Sequence, residues 1–96
     1  MNGVFYKVNG NGQYREYMNG SYVEASKAFN ELIDRAKAKG FHKVRHSFGC
    51  SGVNLTFSDG KTRVELVYIK SDREYEWLMF FEKCKIEREA REKKAA

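Results

Sequence analysis

The residues Ser71-Asp72-Arg73-Glu74-Tyr75-Glu76-Trp77-Leu78-Met79-Phe80-Phe81-Glu82-Lys83-Cys84-Lys85-Ile86 decide how this chain folds. They gather its single tryptophan, two phenylalanines, a tyrosine, Leu78 and Met79 into one short segment. Ser71 and Glu74 form a capping box, in which each side chain satisfies a backbone N–H that the first helical turn leaves without a partner. At about 100° per residue, Trp77, Phe80, Phe81 and Cys84 line up as one stripe. Tyr75, Met79 and Ile86 fall on the opposite side, with Leu78 on a flank. A helix on a protein surface ordinarily has one apolar face; this one has nearly two. Either the helix is sandwiched inside the core, or the second stripe meets another chain, aromatic and methionine side chains being enriched at interface centres. The second alternative makes Tyr75, Met79 and Ile86 the candidate partner-binding residues. From Glu87 the sequence Glu-Arg-Glu-Ala-Arg-Glu-Lys-Lys-Ala-Ala favours helix but has no large apolar group. Residues 87–96 are therefore expected to be a charged tail, projecting or frayed, beyond a domain of residues 1–86.

Working back from that helix, Val53, Leu55 and Phe57 alternate with Asn54, Thr56 and Ser58, the pattern of a strand with one wet face. Asp59-Gly60 reads as a two-residue turn. Closing it sets Leu55 opposite Val64, Val53 opposite Leu66, Thr56 opposite Arg63 and Asn54 opposite Glu65, so that like meets like. The returning strand runs to Ile69 or Lys70. Residues 41–48 read as another strand, followed by a Gly49-Cys50-Ser51-Gly52 loop. Further upstream, Ser21-Tyr22-Val23-Glu24 is a second capping box. Tyr22, Ala25, Phe29, Leu32, Ile33 and Ala36 then recur at helical spacing until Gly40 stops a helix of about residues 22–39, with Phe41 placed for the contact that accompanies a glycine C-cap. At the N-terminus, residues 3–8 read as a strand and 13–18 as its return. If the turn is Asn11-Gly12, Lys7 faces Glu16 and Tyr6 faces Tyr17; Asn9-Gly10 competes for the turn. The expected fold is a single small α+β domain, order ββαβββα, with a mostly antiparallel sheet and two helices packed on one face.

With 42% hydrophobic residues the chain has material for one modest core without a metal or a disulfide. Cys50 and Cys84 are too few and too far apart for a secreted disulfide scaffold, so both are expected reduced in a cytoplasmic protein. The run Trp77 to Phe81 is far too short to span a membrane, and the first residues lack the layout of a signal peptide. No cofactor, metal or membrane partner is expected. The net charge of +5 is localised. Between Asp34 and Asp59 there is no acidic residue, and Arg35, Lys37, Lys39, Lys43 and Arg45 supply the whole excess. The first three also sit where cations offset the negative end of a helix. Lys43 and Arg45, two apart on a strand, are expected on one face, where phosphates could be gripped.

Dedicated chemistry is hard to find. His42, His46 and Cys50 are spaced four apart, which on a strand separates them by roughly 13 Å, too far for one metal ion. The Gly49–Gly52 loop could present a nucleophilic thiol, but a structural turn is the simpler reading. From Ser21 onward the order helix, three strands, helix is similar to a double-stranded-RNA-binding domain. That resemblance implies a lysine cluster opening the last helix, where this chain has Ser71-Asp72-Arg73-Glu74. The order strand, helix, three strands and tail, with Lys61-Thr62-Arg63-Val64-Glu65-Leu66-Val67-Tyr68-Ile69, is similar in metre to RelE-type messenger-RNA-cleaving toxins, which implies an RNA-cutting activity.

The surfaces favour a small non-catalytic protein that docks on a macromolecular partner, another protein or a second copy of itself. Size and composition suit a regulator or inhibitor of phage or mobile-element type. Nucleic-acid binding through residues 35–46 is the alternative, and RNA cleavage comes third.

Overall fold

The computed structural model describes residues 2–10 and 13–95. The elements follow in the expected order: β1 (Asn2–Val8), β2 (Arg15–Gly20), α1 (Tyr22–Ala38), β3 (His42–Gly49), β4 (Gly52–Ser58), β5 (Arg63–Ile69) and α2 (Asp72–Ala95). The five strands form one antiparallel sheet in the order β2-β1-β5-β4-β3. The last strand in sequence is thus the central one, and α1 carries the chain from one sheet edge to the other. Helix α2 continues through the charged tail to Ala95. Among the described residues no helix is long and apolar enough to cross a membrane.

Both helices start at the expected serine N-caps, while the glutamate half of each box takes another partner: the serine hydroxyl at Ser21 and the N–H of the preceding residue at Ser71. Ser21 Oγ accepts from the Glu24 N–H at 3.2 Å and donates to the Glu24 carboxylate at 3.0 Å. Ser71 Oγ accepts from the Glu74 N–H, and Glu74 Oε2 reaches back to accept from the Lys70 N–H, each at 3.2 Å. Helix α1 ends at Gly40, whose φ of 87° suits glycine, and the Phe41 N–H returns to the Ala36 carbonyl at 2.9 Å. Phe41 then packs beside Ala36, as expected.

Two hairpins take different registers from those expected. In the β4–β5 hairpin Leu55 lies opposite Leu66 and Val53 opposite Tyr68, two residues further along β5 than a two-residue turn would give. Asp59 causes the longer loop. Its carboxylate accepts from the Lys61 and Thr62 N–H groups at 2.9 and 2.7 Å, and Ser58 Oγ accepts from the Gly60 N–H at 3.0 Å. The two backbone N–H bonds hold the Asp59 carboxyl below the usual aspartate range. Because the shift is even, apolar residues still face apolar residues. In the β1–β2 hairpin Phe5 lies opposite Glu16 and Tyr6 opposite Arg15, replacing the expected Lys7–Glu16 and Tyr6–Tyr17 pairs. A bulge at Tyr17 intervenes, and it lets Tyr17 and Met18 both pack on the α1 side. Asn9 and Gly10 have φ of 55° and 65°; the Asn11-Gly12 turn falls outside the described residues.

The helices do not share a face. Successive strand residues point to opposite sides of a sheet. Val4 and Tyr68, paired across β1 and β5, pack with Ala25 and Ala28 of α1. Leu55, Phe57 and Leu66 extend that side beneath Leu32 and Ile33. The adjacent pair Phe5 and Val67, with Ile69, instead meets Tyr75, Leu78 and Met79 of α2. The expectation of both helices on one face is corrected to one helix on each. The reason lies in β5, where Leu66, Val67, Tyr68 and Ile69 are all buried in succession. An uninterrupted apolar run needs cover on both sides.

On the α2 side of β1, next to Phe5, Lys7 is only 3% exposed. Its ammonium forms an ion pair with Glu82 and lies 4.4 Å from the centre of the Tyr14 ring. Burial, reinforced by the carboxylates of Glu65 and Glu82, pushes the Tyr14 hydroxyl above the usual tyrosine range. Folding therefore holds this phenol protonated. Below a tyrosine's ordinary pKa of about 10 the folded and unfolded chains are equally protonated at Tyr14 and stability is unaffected. Above it the unfolded chain releases the proton first, so the native protein loses stability as pH rises. Tyr14→Phe is expected to show a shallower fall in melting temperature between about pH 9 and pH 11.5 than the native chain. Parallel curves would show that the phenol is not held protonated by the fold.

Candidate functional site

Helix α2 rests on the sheet through Tyr75, Leu78, Met79 and Glu82, spaced at i, i+3, i+4 and i+7. Leu78 is 3% exposed, and the rings of Tyr75 and Phe5 lie 5.5 Å apart. The other stripe is turned to solvent. Trp77, Phe80 and Phe81 are 37%, 53% and 45% exposed. They contact one another: Trp77 stacks on Phe81 at 5.4 Å and meets Phe80 edge-on at 5.9 Å, while Phe80 and Phe81 are 5.8 Å apart. Cys84 is exposed on the same stripe. Arg73 and Glu76 flank a shallow recess beside Trp77 and Phe80.

This reverses the assignment expected for the helix. Tyr75 and Met79, the anticipated partner-binding residues, are half-buried against the protein's own sheet. Ile86 alone of that trio is exposed, bordering a cleft with Tyr14 and Met79. The cause is the buried Lys7. An ammonium removed from water needs a counter-charge, and Glu82 lies on the stripe of Tyr75, Leu78 and Met79. Turning the helix to bury Trp77, Phe80 and Phe81 would carry Glu82 away and strand Lys7. A lysine inside the apolar run of β1 was the sequence signal for this, with a carboxylate on one α2 stripe as its answer.

The basic residues are dispersed. Lys43 pairs with Phe57 and Arg45 with Thr56, adjacent residues of β4 that face opposite sides of the sheet. The expectation of Lys43 and Arg45 on one face fails because a bulge at Val44 adds a residue between them. Arg35 and Lys39 line a groove with Tyr6, Tyr17 and Phe41 on the α1 side. Lys37, about 200° round the helix from Arg35, projects away from it. Arg45 lies across the sheet, in a small polar cleft with Tyr14, Asn54 and Glu65. His42 and His46 pair with Ser58 and Leu55 and so face opposite sides.

Every residue of β3 is exposed, Phe48 at 81%. It is an edge strand, and the bulge with its two flanking cations guards it against pairing with another sheet. The Gly49–Gly52 loop is a tight hairpin. Gly52 has φ of 86°, and a Cβ there would collide with the Tyr68 carbonyl oxygen, so glycine serves close strand packing. Cys50 is exposed.

Comparison of the chain with protein-family models, curated proteins and solved structures finds no match.

Proposed function

We propose that this chain is a small non-catalytic binding protein that docks on another protein through the outward face of α2. The observation that carries this is the patch of Trp77, Phe80 and Phe81, three rings packed on each other and half in water, on a helix already anchored by its opposite stripe. Contiguous exposed apolar patches of this kind mark interaction surfaces. Tryptophan is among the residues that contribute most when an interface closes, and Arg73 and Glu76 supply the polar rim. A protein built this way acts by occupying its partner, as a regulator or an inhibitor does.

The test is capture from the native cells, with and without nuclease, using the native chain and Phe80→Lys/Phe81→Lys. A protein retained in near-stoichiometric amount by the native chain and lost with the variant supports docking, provided both chains melt at similar temperatures. Retention of the same protein by both overturns it. Nuclease-sensitive binding that depends on Lys43→Glu/Arg45→Glu, and not on the aromatic pair, would move the assignment to nucleic acid.

A further inference from the structure

Building on the docking role of α2, we infer that the protein which covers its outer face is a second copy of this chain, packed antiparallel across a two-fold axis near Phe80. A two-fold interface is self-complementary, so each residue must suit its mirror position on the same surface. The exposed charges around the aromatic patch meet that condition. Arg73 stands seven residues before Phe80 and Glu87 seven after it; Glu76 stands four before and Lys83 three after. All four are exposed. An antiparallel pair centred on Phe80 sets Arg73 opposite Glu87 and brings Glu76 within one residue of Lys83, twice each. The rings of Trp77, Phe80 and Phe81 close on their counterparts between these ion pairs. A parallel pair would instead place Arg73 on Arg73, Glu76 on Glu76 and Glu87 on Glu87, which repels at every step.

The extension of α2 fits the same arrangement. Residues 87–95 continue the helix beyond Glu82, whose carboxylate meets Lys7 on the sheet, and Glu87 and Arg88 are exposed there. In the antiparallel pair Glu87 and Arg88, at the start of this extension, lie alongside the first turn of the partner's helix. The area sets the strength. With about 150–250 Å² per aromatic side chain, the exposed parts of the three rings come to roughly 300 Å² per copy. With the flanking polar residues the pair sits at the small end of specific interfaces, so self-association is expected in the micromolar range.

Sedimentation velocity from about 5 to about 500 µM, in a Cys50→Ser background under reducing conditions, reads the prediction directly. The expected result is a monomer–dimer equilibrium that Phe80→Glu weakens by about tenfold or more. Arg73→Glu and Glu87→Arg should each weaken it, and the two together in one chain should restore it, because the swapped charges again complement across the axis. The direction is read from Cys84. In the antiparallel pair the two Cys84 residues are roughly 12 Å apart along the helices at about 1.5 Å rise per residue, beyond the reach of a disulfide. In a parallel pair they face each other and cross-link on oxidation. A chain that stays monomeric throughout, a dimer indifferent to Phe80→Glu, or a ready Cys84 cross-link would each overturn the inference. A monomer whose capture of a different protein still requires Phe80 and Phe81 would overturn the second copy as occupant and leave α2 as the docking face.

Discussion

Glu82→Leu is expected to destabilise the fold by about 3–5 kcal/mol, and Lys7→Met in the same chain to recover most of that loss. Lys7 and Glu82 have side chains only 2% and 13% exposed, so solvent does little to screen either charge. Removing the carboxylate alone leaves an ammonium buried among Phe5, Tyr14 and α2 with no counter-charge, and that desolvation cost is what unfolding would relieve. Removing both charges takes away the attraction and the penalty together, and leaves an apolar pair of similar volume in their place. Urea denaturation of the native chain, the two single variants and the double variant gives the coupling as a double-mutant cycle. If Glu82→Leu costs less than about 1 kcal/mol, or the double variant is no better than the single, the ion pair does not determine how α2 sits.

That pair also marks the boundary of what the residues announce by themselves. The two helices, their serine caps, the glycine stop at Gly40 and the alternation of Val53, Leu55 and Phe57 all depend on neighbours within a turn or two. Each was legible for that reason. The orientation of α2 depends on a lysine 75 positions away, and no periodicity within the helix reports it. Two comparable stripes were visible; which one the sheet would claim was not. The bulges at Tyr17 and Val44 escaped for a related reason. A single inserted residue moves every later side chain to the other face, yet leaves composition and propensity unchanged. Lys43 and Arg45 looked like one basic strip and became two. The placement of the helices on opposite faces was written more openly, in four successive buried residues of β5, and an alternating reading of that strand concealed it.

Leu78→Ala and Phe80→Ala, two residues apart on the same helix, should separate the two faces of α2 by a wide margin. Leu78 is enclosed by Phe5, Val67 and Ile69, and truncating it removes buried methyl groups and leaves a cavity under a helix held by few other contacts. The expected cost is about 2–5 kcal/mol in line with buried leucines elsewhere, which for a domain of this size is a large share of its total stability. Phe80 is the larger side chain, yet it is 53% exposed and touches only Trp77 and Phe81 among the rings. Alanine there, a better helix former, is expected to change stability by less than about 1 kcal/mol. The measurement is urea unfolding at low protein concentration, where self-association does not contribute. A loss at Phe80 equal to that at Leu78 would place the aromatic stripe in the core, and both the docking face and the two-fold pairing would go with it. A large loss at Leu78 beside a small one at Phe80 leaves three aromatic rings with no role in folding the chain that carries them, which is the condition any partner on that face requires.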